Sequence, residues 1–469
     1  MSAGAGHPTL RDARPVPYWL DRSDAPEPTE RLRGRSRAEL VVVGAGFTGL
    51  WTALLAKQRD PSLDVVVLEG RTTAHAASGR NGGFCAASLT HGLANGNDRF
   101  PAEIADLEKL GLENLDAIEA TVREHVIDCD WRRSGELTVA VEPWQVDGLR
   151  ARVELARQVG SEHRWLDGDR VRELVDSPTY LGGVLDAHGC AMVDPARLAW
   201  GLRRVCLETG VRLYENSPVS GLTPEADAVR VTTHEGQVRT RRVALATNAY
   251  PPLLHRLRHY VVPVWDYALM TEPLGAEQWA SIGWDGHEGL SDAGNQFHYY
   301  RRAGDRILWG GWDAIYGFGN EVSPSWGQRQ KTFAVLAEHF AHTFPALGDV
   351  RFSHQWGGLI DACSRFCAFY GSAMSGRLAY AVGYTGLGVG ASRFGARVVL
   401  AHLGLPVGDD ARLLELEMVR TKPLPFPPEP VRWAGIQLTR RAIARADAGG
   451  GRRGPWLRTL DRLGLGFDS

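Results

Sequence analysis

The chain of 469 residues contains few lysines and few cysteines. The scarcity of lysine limits the candidate catalytic cations, and the scarcity of cysteine argues against a disulfide framework. Its lysines are Lys57, Lys109, Lys331 and Lys422, so arginine supplies most of the 53 basic side chains. A formal net charge of −2 argues against nucleic acid as a partner. The six scattered cysteines suit reduced thiols in a cytosol better than a disulfide framework. We therefore expect a cytoplasmic protein.

Long apolar runs are also scarce, and the uncharged run over residues 40–56 is at the short limit for crossing a bilayer. It contains Gly44, Gly46 and Gly49 in the spacing G-x-G-x-x-G. The preceding "ELVVV" is typical of a buried parallel strand, and the following "TGLWTALLAKQ" predicts a helix. A second strand, "LDVVVLE", ends at Glu69. This order predicts a nucleotide-binding βαβ unit and argues against a membrane span.

Each part of that unit has a physical task. Gly44 permits the tight turn, Gly46 lets the backbone approach a pyrophosphate, and Gly49 lets the helix pack close to the strand. The pyrophosphate would lie at the helix N-terminus, where free N–H groups favour anions. Glu69 could accept hydrogen bonds from ribose hydroxyls. The predicted cofactor contacts of this unit are Gly44, Ala45, Gly46, Phe47, Thr48, Gly49, Glu69, Gly70 and Arg71.

The next segment, "GRTTAHAASGRNGGF", bears on which dinucleotide is bound. Its small residues predict a loop whose backbone passes close to something flat, which an NAD domain does not need. The alternative is an ordinary flexible turn, because Gly and Asn also mark such turns. The predicted cofactor contacts in this loop are Ser78, Gly79, Arg80, Asn81, Gly82 and Gly83.

These motifs and three later segments resemble the D-amino acid oxidase-like FAD oxidoreductases, the group of glycine oxidase, monomeric sarcosine oxidase and gamma-glutamylputrescine oxidase. The later segments are "VDPARLAWGLRRVCLETGVRLYENSPV", "RRVALATNAY" and "AYAVGYTGLGVGASRFGARVVLAHL". The resemblance extends over residues 38–403. "SGRNGG" and "WGGLID" are most similar to gamma-glutamylputrescine oxidase-like proteins.

The resemblance implies an α/β fold in which a Rossmann-like FAD-binding domain is interleaved with an antiparallel-sheet substrate domain. It places residues 38–95, 175–255 and 352–405 in the FAD-binding domain. Residues 96–174 and 256–351 form the substrate domain. Outside these domains we expect an N-terminal arm over residues 1–37 and a C-terminal tail over residues 406–469.

The same resemblance places further residues at the cofactor. Val219 would lie at the adenine, while Thr247 and Asn248 would end a strand beneath the dinucleotide. Backbone N–H groups in "TGLGVG" would face the pyrimidine carbonyl of the flavin, where negative charge builds on reduction. The alternative is a plain packing turn between a strand and a helix. The residues concerned are Gly386, Leu387, Gly388 and Val389.

Oxidation of an amine by flavin removes a hydride equivalent from the α-carbon of the neutral amine, so we expect aromatic walls and no strong anion facing the nitrogen. The segments "VVPVWDYALMTEPL" and "FHYYRRAGDRILWGGWD" supply aromatic residues, although aromatic strands also build cores. An arginine could clamp a substrate carboxylate. The predicted catalytic residues are Trp265, Tyr267, His298, Tyr300, Arg301 and Trp356.

Some members of the family place a lysine near the flavin to promote reaction with oxygen. No lysine lies between Lys109 and Lys331. A cation would then come from Arg301, Arg302 or His298, or the electrons would pass to another acceptor. Oxidase and dehydrogenase therefore both stay open, with oxygen the favoured acceptor.

Two further features leave alternatives open. Cys363 and Cys367 could attach FAD covalently or hold a metal, but buried free thiols are favoured and no metal site is predicted. Residues 431–463 carry eight arginines and two aspartates. The two short amphipathic helices predicted there either dock on the body or form a lid, a dimer contact or a membrane contact.

The sequence thus predicts an FAD-dependent enzyme that oxidises a C–N bond in a small amine or amino acid to an imine, with oxygen as acceptor giving hydrogen peroxide. The expected partners are that substrate and oxygen, and the oligomeric state is left open. One alternative is an FAD-dependent dehydrogenase or a biosynthetic tailoring oxidoreductase with a non-amine substrate. Another is a nucleotide-binding module that senses or scaffolds.

Overall fold

A computed structural model describes residues 7–466. Its helices are α1 (Phe47–Arg59), α2 (Leu93–Arg99), α3 (Ile104–Glu124), α4 (Gln145–Gln158), α5 (Gly168–Leu174), α6 (Pro195–Glu208), α7 (Ala276–Ile282), α8 (Gln330–Thr343), α9 (Gly388–His402), α10 (Glu417–Arg420), α11 (Val431–Ala448) and α12 (Pro455–Arg462). Its strands are β1 (Gly34–Val43), β2 (Val65–Leu68), β3 (Phe84–Ala86), β4 (Glu136–Ala140), β5 (His163–Asp167), β6 (Gly182–Asp186), β7 (Cys190–Met192), β8 (Arg212–Tyr214), β9 (Val219–Pro224), β10 (Val229–Thr233), β11 (Gly236–Leu245), β12 (Val262–Thr271), β13 (Gly289–Asp292), β14 (His298–Ala303), β15 (Arg306–Ile315), β16 (Phe352–Ala362), β17 (Phe369–Ala373) and β18 (Leu378–Val382).

The first sheet contains the βαβ unit that the glycine motif predicts. Its order is β17-β18-β11-β1-β2-β8, and β10 and β9 continue from β11. β1 pairs in parallel with both β2 and β11, an arrangement that needs crossover connections such as α1. The apolar run over residues 40–56 is therefore a buried strand, a turn and most of a helix, which confirms the predicted α/β class.

The second sheet is mainly antiparallel, as predicted. Its order is β16-β12-β15-β14-β13-β4-β6-β5, and its one parallel pair among the described residues joins β13 to β4. A third, two-stranded sheet joins β3 to β7. Helix α8 covers one face of the second sheet, where Phe333 packs against Tyr267 and Phe340 against Trp309. The opposite face of this sheet is directed toward the first sheet.

Two strands cross the predicted domain limits. β6 and β16 lie within the second sheet, although the sequence segments that contain them were expected in the FAD-binding domain. β16 pairs along its length with β12, so the chain returns to the first sheet only after Ala362. The division into domains stays a prediction, and the described topology moves these two strands to the substrate side.

The main core lies on one face of the first sheet. α1, α3, α6 and α9 contribute buried apolar side chains such as Trp51, Leu115, Leu198 and Val398. Helix α6 begins where the sequence predicts, because the Asp194 side chain accepts a hydrogen bond from the backbone N–H of Arg197. Each fully buried side chain of this size contributes about 1.5–3 kcal/mol.

Both ends of the described chain pack on the body. In the arm, Trp19 is buried and its indole donates a hydrogen bond to the carbonyl oxygen of Asn81 at 2.9 Å. In the tail, the Asp447 carboxylate accepts hydrogen bonds from the side chain of Asn295 and the backbone N–H of Gln296. Within residues 7–466, every helix is too short or too polar to cross a membrane.

Candidate active site

A cavity of about 1720 Å³ lies between the two sheets. On one side it reaches the carboxyl ends of β1 and β2, at Val43 and Leu68. Ligands of open α/β sheets bind beyond the carboxyl ends of the strands. On the other side the cavity is lined by residues of β12, β14 and β15, and α11 and α12 form a third wall.

The turn between β1 and α1 requires glycine at two positions. Gly44 has φ +106°, and a Cβ there would lie 2.5 Å from the carbonyl oxygen of Ala246. A Cβ at Gly49 would overlap the carbonyl oxygen of Gly44, so α1 can approach the turn only with glycine there. The motif residues that line the cavity are Gly44, Gly46, Phe47 and Thr48, whereas Ala45 and Gly49 lie behind that surface.

Glu69 follows β2 at the edge of the cavity. Its carboxylate accepts hydrogen bonds from the backbone N–H groups of Ala45 at 2.7 Å and Arg71 at 2.8 Å. Burial raises the pKa of Glu69 above its usual range, and these two hydrogen bonds oppose that effect. Gly70 and Arg71 line the cavity beside it. The acid therefore stays next to the turn, at the place where a ribose hydroxyl would be bound.

The loop after Arg71 is tied to the start of α1. The Ser78 hydroxyl accepts a hydrogen bond from the backbone N–H of Phe47 at 3.0 Å. The Asn81 side chain accepts from the N–H of Gly83 at 2.8 Å and donates to carbonyl oxygens of the same loop. This bonding fixes the backbone course of the loop. Ser78, Arg80, Asn81 and Gly82 line the cavity, whereas Gly79 and Gly83 face the packing behind it.

The later predicted cofactor residues come to the same cavity. Helix α9 begins at Gly388, directly after a turn in which Gly386 has φ +97°. Its N-terminus is thereby directed into the cavity. The lining includes Val219, Thr247, Asn248, Gly386, Leu387, Gly388 and Val389. We call all cavity-lining residues among the predicted cofactor contacts the dinucleotide wall.

Asp361 supports this turn, and the sequence reasoning did not single it out. Its carboxylate accepts a hydrogen bond from the backbone N–H of Gly383 at 2.6 Å, and its carbonyl oxygen accepts from Thr385. Burial raises the pKa of Asp361 to about 7. The available signal was its place at the end of "WGGLID", directly before the chain passes to the other sheet.

The predicted catalytic residues do not line the cavity in the described part of the chain. Trp265 and Tyr267 face the α8 side of β12, where the Tyr267 hydroxyl donates to the carbonyl oxygen of Trp326 at 2.7 Å. On β14, the Tyr300 hydroxyl lies 2.7 Å from that of Tyr180. The alternation of β-strand side chains turns these residues away from the cavity.

His298 also belongs to the α8 side. Its ring nitrogens lie 2.7 Å from the Asp292 carboxylate and 2.9 Å from His339. Arg301 and Trp356 share the cavity side of their strands but are covered: Arg301 donates to the carbonyl oxygen of Val193 at 2.7 Å, and Trp356 donates to that of Arg80 at 2.8 Å. The catalytic roles predicted for the six residues therefore gain no support from their positions.

On β12 and β14, the side chains that reach the cavity are the alternate ones. A sequence signal for Tyr299 existed in the glycines of "WGGWD", because Gly310 pairs with Tyr299 and a Cβ there would lie 2.5 Å from its ring. That signal can be interpreted only when the register of the strands is known. We call these residues the sheet wall: Val264, Asp266, Phe297, Tyr299 and Trp312.

Asp266 and Tyr299 form the polar centre of the sheet wall. The Tyr299 hydroxyl donates a hydrogen bond to the Asp266 carboxylate at 2.5 Å. Burial raises the pKa of Asp266 to about 6, and the hydrogen bond from Tyr299 opposes that rise. Burial also raises the pKa of Tyr299, with the Asp266 charge adding to it. A carboxyl in this range can accept a proton near neutral pH.

The cations expected near the flavin also differ. Within the described residues, Arg301, Arg302 and His298 are not on the cavity surface, whereas Arg71 and Arg80 are. The Arg80 guanidinium donates to the carbonyl oxygen of His75 at 2.8 Å. Burial lowers the pKa of Arg80. The dinucleotide wall therefore carries arginine side chains, whereas the cation was expected from the segment that contains Arg301, Arg302 and His298.

Cys363 lines the cavity and Cys367 lies behind it, and both thiols are free and buried. Burial raises the pKa of Cys363 to about 12, which keeps the thiol protonated and weakly nucleophilic. Buried free thiols were the favoured expectation, and covalent attachment of FAD stays the alternative that the sequence left open. His91 also lines the cavity, and burial lowers its pKa to about 4.

Comparison with known proteins identifies the family to which this chain belongs. The family described as "FAD dependent oxidoreductase" (DAO) matches residues 39–402. This chain belongs to that family. It is 28% identical to probable oxidoreductase OrdL of Haemophilus influenzae, with 84% of this chain and 89% of that protein covered. It is 29% identical to gamma-glutamylputrescine oxidoreductase of Escherichia coli, with 81% and 87% covered.

Solved structures show the same fold. Glycine oxidase from Geobacillus kaustophilus matches with a TM-score of 0.64 at 20% identity, covering 82% of this chain and 99% of that one. NikD, an unusual amino acid oxidase essential for nikkomycin biosynthesis, matches with a TM-score of 0.66 at 18% identity, covering 84% and 99%. Membership of the family that matches residues 39–402 makes the protein an oxidoreductase that uses FAD.

The residues present fit that cofactor. The dinucleotide wall supplies a glycine turn that admits no Cβ at Gly44 or Gly49, the N-termini of α1 and α9, and the acid Glu69 at the end of β2. Helix N-termini suit a pyrophosphate and the electron-rich edge of a flavin. The sheet wall faces this surface across the cavity and supplies aromatic rings and the Asp266–Tyr299 pair.

Proposed function

We propose that this enzyme oxidises a C–N bond of a small amine or amino acid to an imine, with oxygen as the acceptor and hydrogen peroxide as the second product. The observation that carries the proposal is the Asp266–Tyr299 pair on the sheet wall, opposite the dinucleotide wall. Among its relatives, one is named gamma-glutamylputrescine oxidoreductase and another sarcosine oxidase subunit beta. FAD accepts the hydride equivalent when bound.

The sheet wall suits the binding of an amine. Phe297, Tyr299 and Trp312 provide aromatic surfaces, and a cation over such a ring gains about 0.5–2 kcal/mol. The Asp266 carboxylate attracts a protonated amine. Because its pKa is about 6, it can then take the proton that the amine must lose before its α-carbon is oxidised. Tyr299 holds the receiving oxygens in place through its hydroxyl.

This arrangement revises one expectation. The sequence predicted that no strong anion would face the substrate nitrogen. Asp266 stands on the cavity wall, but burial brings its pKa close to neutrality, so the group can exist in the protonated state. A carboxyl of this kind assists deprotonation and does not trap the ammonium as a fixed anion would.

Arg80 supports oxygen as the acceptor. Reduction of oxygen builds negative charge, and a preorganised buried cation stabilises that charge. Arg80 lines the dinucleotide wall and its guanidinium is held by the carbonyl oxygens of His75 and Gly357. A cation from the second sheet is therefore not required.

The test is an anaerobic screen of amines and amino acids against the yellow holoenzyme, followed by exposure to air. We expect bleaching of the flavin absorbance with an amine substrate, then recovery of the colour with release of peroxide. Bleaching with slow recovery in air would assign a dehydrogenase. Bleaching only with hydroxy acids would replace the amine proposal with a non-amine oxidoreductase.

A further inference from the structure

The cavity extends beyond the sheet wall to a second group of ionisable side chains. Glu136, Asp186 and His163 occupy one row of the second sheet, because Asp186 pairs with Glu136 on β4 and with His163 on β5. Glu108 on α3 and Arg152 on α4 complete the group. All five line the cavity that reaches the dinucleotide wall. We call these five residues the distal subsite.

The distal subsite and the active site share one face of the sheet. Thr138, two residues after Glu136, pairs with Ser291, and Ser291 pairs with Tyr299. Residues in one row, or two apart along a strand, point to the same face. A ligand could therefore extend across this face from Tyr299 to Glu136 without leaving the cavity.

Negative charge exceeds positive charge in the distal subsite. Its three carboxyls are opposed by the one guanidinium of Arg152, which donates to the Thr138 hydroxyl at 3.2 Å. Glu136 accepts from the Ser291 hydroxyl at 2.8 Å, and within residues 7–466 no hydrogen bond or ion pair engages the Glu108 carboxyl. Burial raises the pKa of both glutamates. With one guanidinium for three carboxyls, the distal subsite favours the arrival of a further cation.

His163 gives an independent indication of a ligand. Its side chain is 4% exposed, and Nε2 lies 3.6 Å from the Asp186 carboxylate. Nδ1 has no hydrogen-bond partner in the described chain. With the proton on Nε2 toward Asp186, Nδ1 presents a buried lone pair. Arg152 Nε is a donor that also lacks a partner there, but the acceptors outnumber it.

An organic cation fits these acceptors better than a metal ion does. Within the described residues, no three His, Cys, Asp or Glu side chains converge as a metal site would require. Ammonium and guanidinium groups instead bind by separate hydrogen bonds to acceptors around them. The spread of Glu108, Glu136 and Nδ1 of His163 suits that kind of group.

We propose that the distal subsite binds a second cationic group of the substrate while the amine to be oxidised lies at Asp266 and Tyr299. Two interstrand spacings separate β4 from β14, which carries Tyr299, and four separate β4 from β12, which carries Asp266, so the two groups lie about 10–19 Å apart. The substrate class is a long diamine, or an amine that carries a distant ammonium or guanidinium. This inference rests on the proposed amine oxidation and narrows its substrate.

The first experiment measures anaerobic flavin reduction of the holoenzyme by a series of unbranched diamines from diaminobutane to diaminododecane. Octylamine and aminooctanoate serve as matched single-cation and anion-ended probes. We expect an optimum at an intermediate diamine, with an apparent dissociation constant about tenfold to a hundredfold below that of octylamine. Equal values for diaminooctane and octylamine would overturn the proposal. Preference for aminooctanoate would also overturn it, because Arg152 would then be binding a carboxylate.

The second experiment uses Glu108→Gln, Glu136→Gln and the control Glu113→Gln, an exposed carboxyl on the same helix as Glu108. Each glutamate variant that retains its melting temperature should weaken the best diamine by about tenfold and leave octylamine unchanged. The limiting rate of reduction should stay the same, since neither residue touches the reacting amine. Unchanged diamine binding in both folded variants, or an equal effect of Glu113→Gln, would contradict the assignment.

A third measurement separates this inference from the proposed function. Calorimetry of the pre-reduced holoenzyme with diaminooctane and octylamine reports binding without turnover. If no amine reduces the flavin, the proposed function fails. The distal subsite would then still be supported by tight diamine binding that Glu136→Gln weakens. It would be refuted if the two ligands bound alike.

Discussion

The dinucleotide wall and the sheet wall face the same cavity but are built in different ways. The dinucleotide wall is mostly backbone: glycine turns at Gly44 and Gly386, and the starts of α1 and α9. The sheet wall consists of side chains from β12, β14 and β15, whose choice depends on strand register. A surface built from backbone can be recognised by glycine motifs in the sequence. A surface built from strand side chains is indicated only by alternation with a period of two residues. Substitutions at the dinucleotide wall should therefore impair flavin binding, whereas substitutions at the sheet wall should impair catalysis.

The largest effect is expected directly behind the dinucleotide wall, from Gly49→Ala. The new Cβ would overlap the carbonyl oxygen of Gly44, so α1 must move away from the turn that holds the cofactor. We expect a colourless or weakly coloured protein with a lower melting temperature, since forced overpacking costs about 1–3 kcal/mol or more. Flavin absorbance per mole of protein and a thermal melt measure both effects.

The matched control is Gly148→Ala, also inside a helix but with open space around the new Cβ. Replacing glycine by alanine in a helix stabilises by up to about 1 kcal/mol, so this variant should keep full colour. Equal flavin content in the two variants would show that the packing behind the dinucleotide wall tolerates a side chain. Cofactor binding would then not depend on close backbone packing there.

A substitution on the sheet wall should separate chemistry from cofactor binding. We expect Asp266→Asn to keep its flavin but to lower the rate of amine oxidation by roughly a hundredfold or more, as loss of a general base does. The wild-type rate should rise with pH through about 6, where Asp266 loses its proton, and the variant should lack this rise. Stopped-flow flavin reduction across pH measures both. The control Asp305→Asn, at an exposed turn, should leave the pH profile unchanged. If Asp266→Asn kept the inflection near pH 6, Asp266 would not be the general base.

The dinucleotide wall could be predicted from the sequence, whereas the sheet wall could not. The βαβ unit, the loop at Asn81 and the turn at Gly386 could be predicted because glycine spacing and strand composition report local backbone geometry. Tyr267 and Tyr300 were predicted in place of Asp266 and Tyr299 because an aromatic run does not reveal which alternate side chain faces inward. The cover over Arg301 could not be foreseen either, since it comes from Trp19 in the distant arm.

Adjacent tyrosines on β14 give a direct test of that register. Tyr299→Phe should slow amine oxidation by about tenfold, because Asp266 loses its hydrogen bond, with little change in stability. Tyr300→Phe should do the reverse: it leaves the buried Tyr180 hydroxyl without its partner at 2.7 Å, which costs about 1–3 kcal/mol, while the rate is kept. Denaturant unfolding and steady-state kinetics on both variants decide the matter. The opposite pattern would mean that Tyr300 faces the substrate.

A pH-dependent effect is expected at Asp361, the carboxyl that supports the turn before α9 through the backbone N–H of Gly383. Burial raises its pKa to about 7 from a reference of 3.8, so the folded state holds the proton more tightly than the unfolded state. Its contribution to stability is thus full below about pH 4 and is lost as the pH rises through about 7. Asp361→Asn can still accept the hydrogen bond from Gly383 and carries no charge, so its melting temperature should fall less between pH 5 and pH 8 than that of the wild type. Parallel curves for the two proteins would show that Asp361 is ionised throughout, so that the turn before α9 rests on a fixed negative side chain.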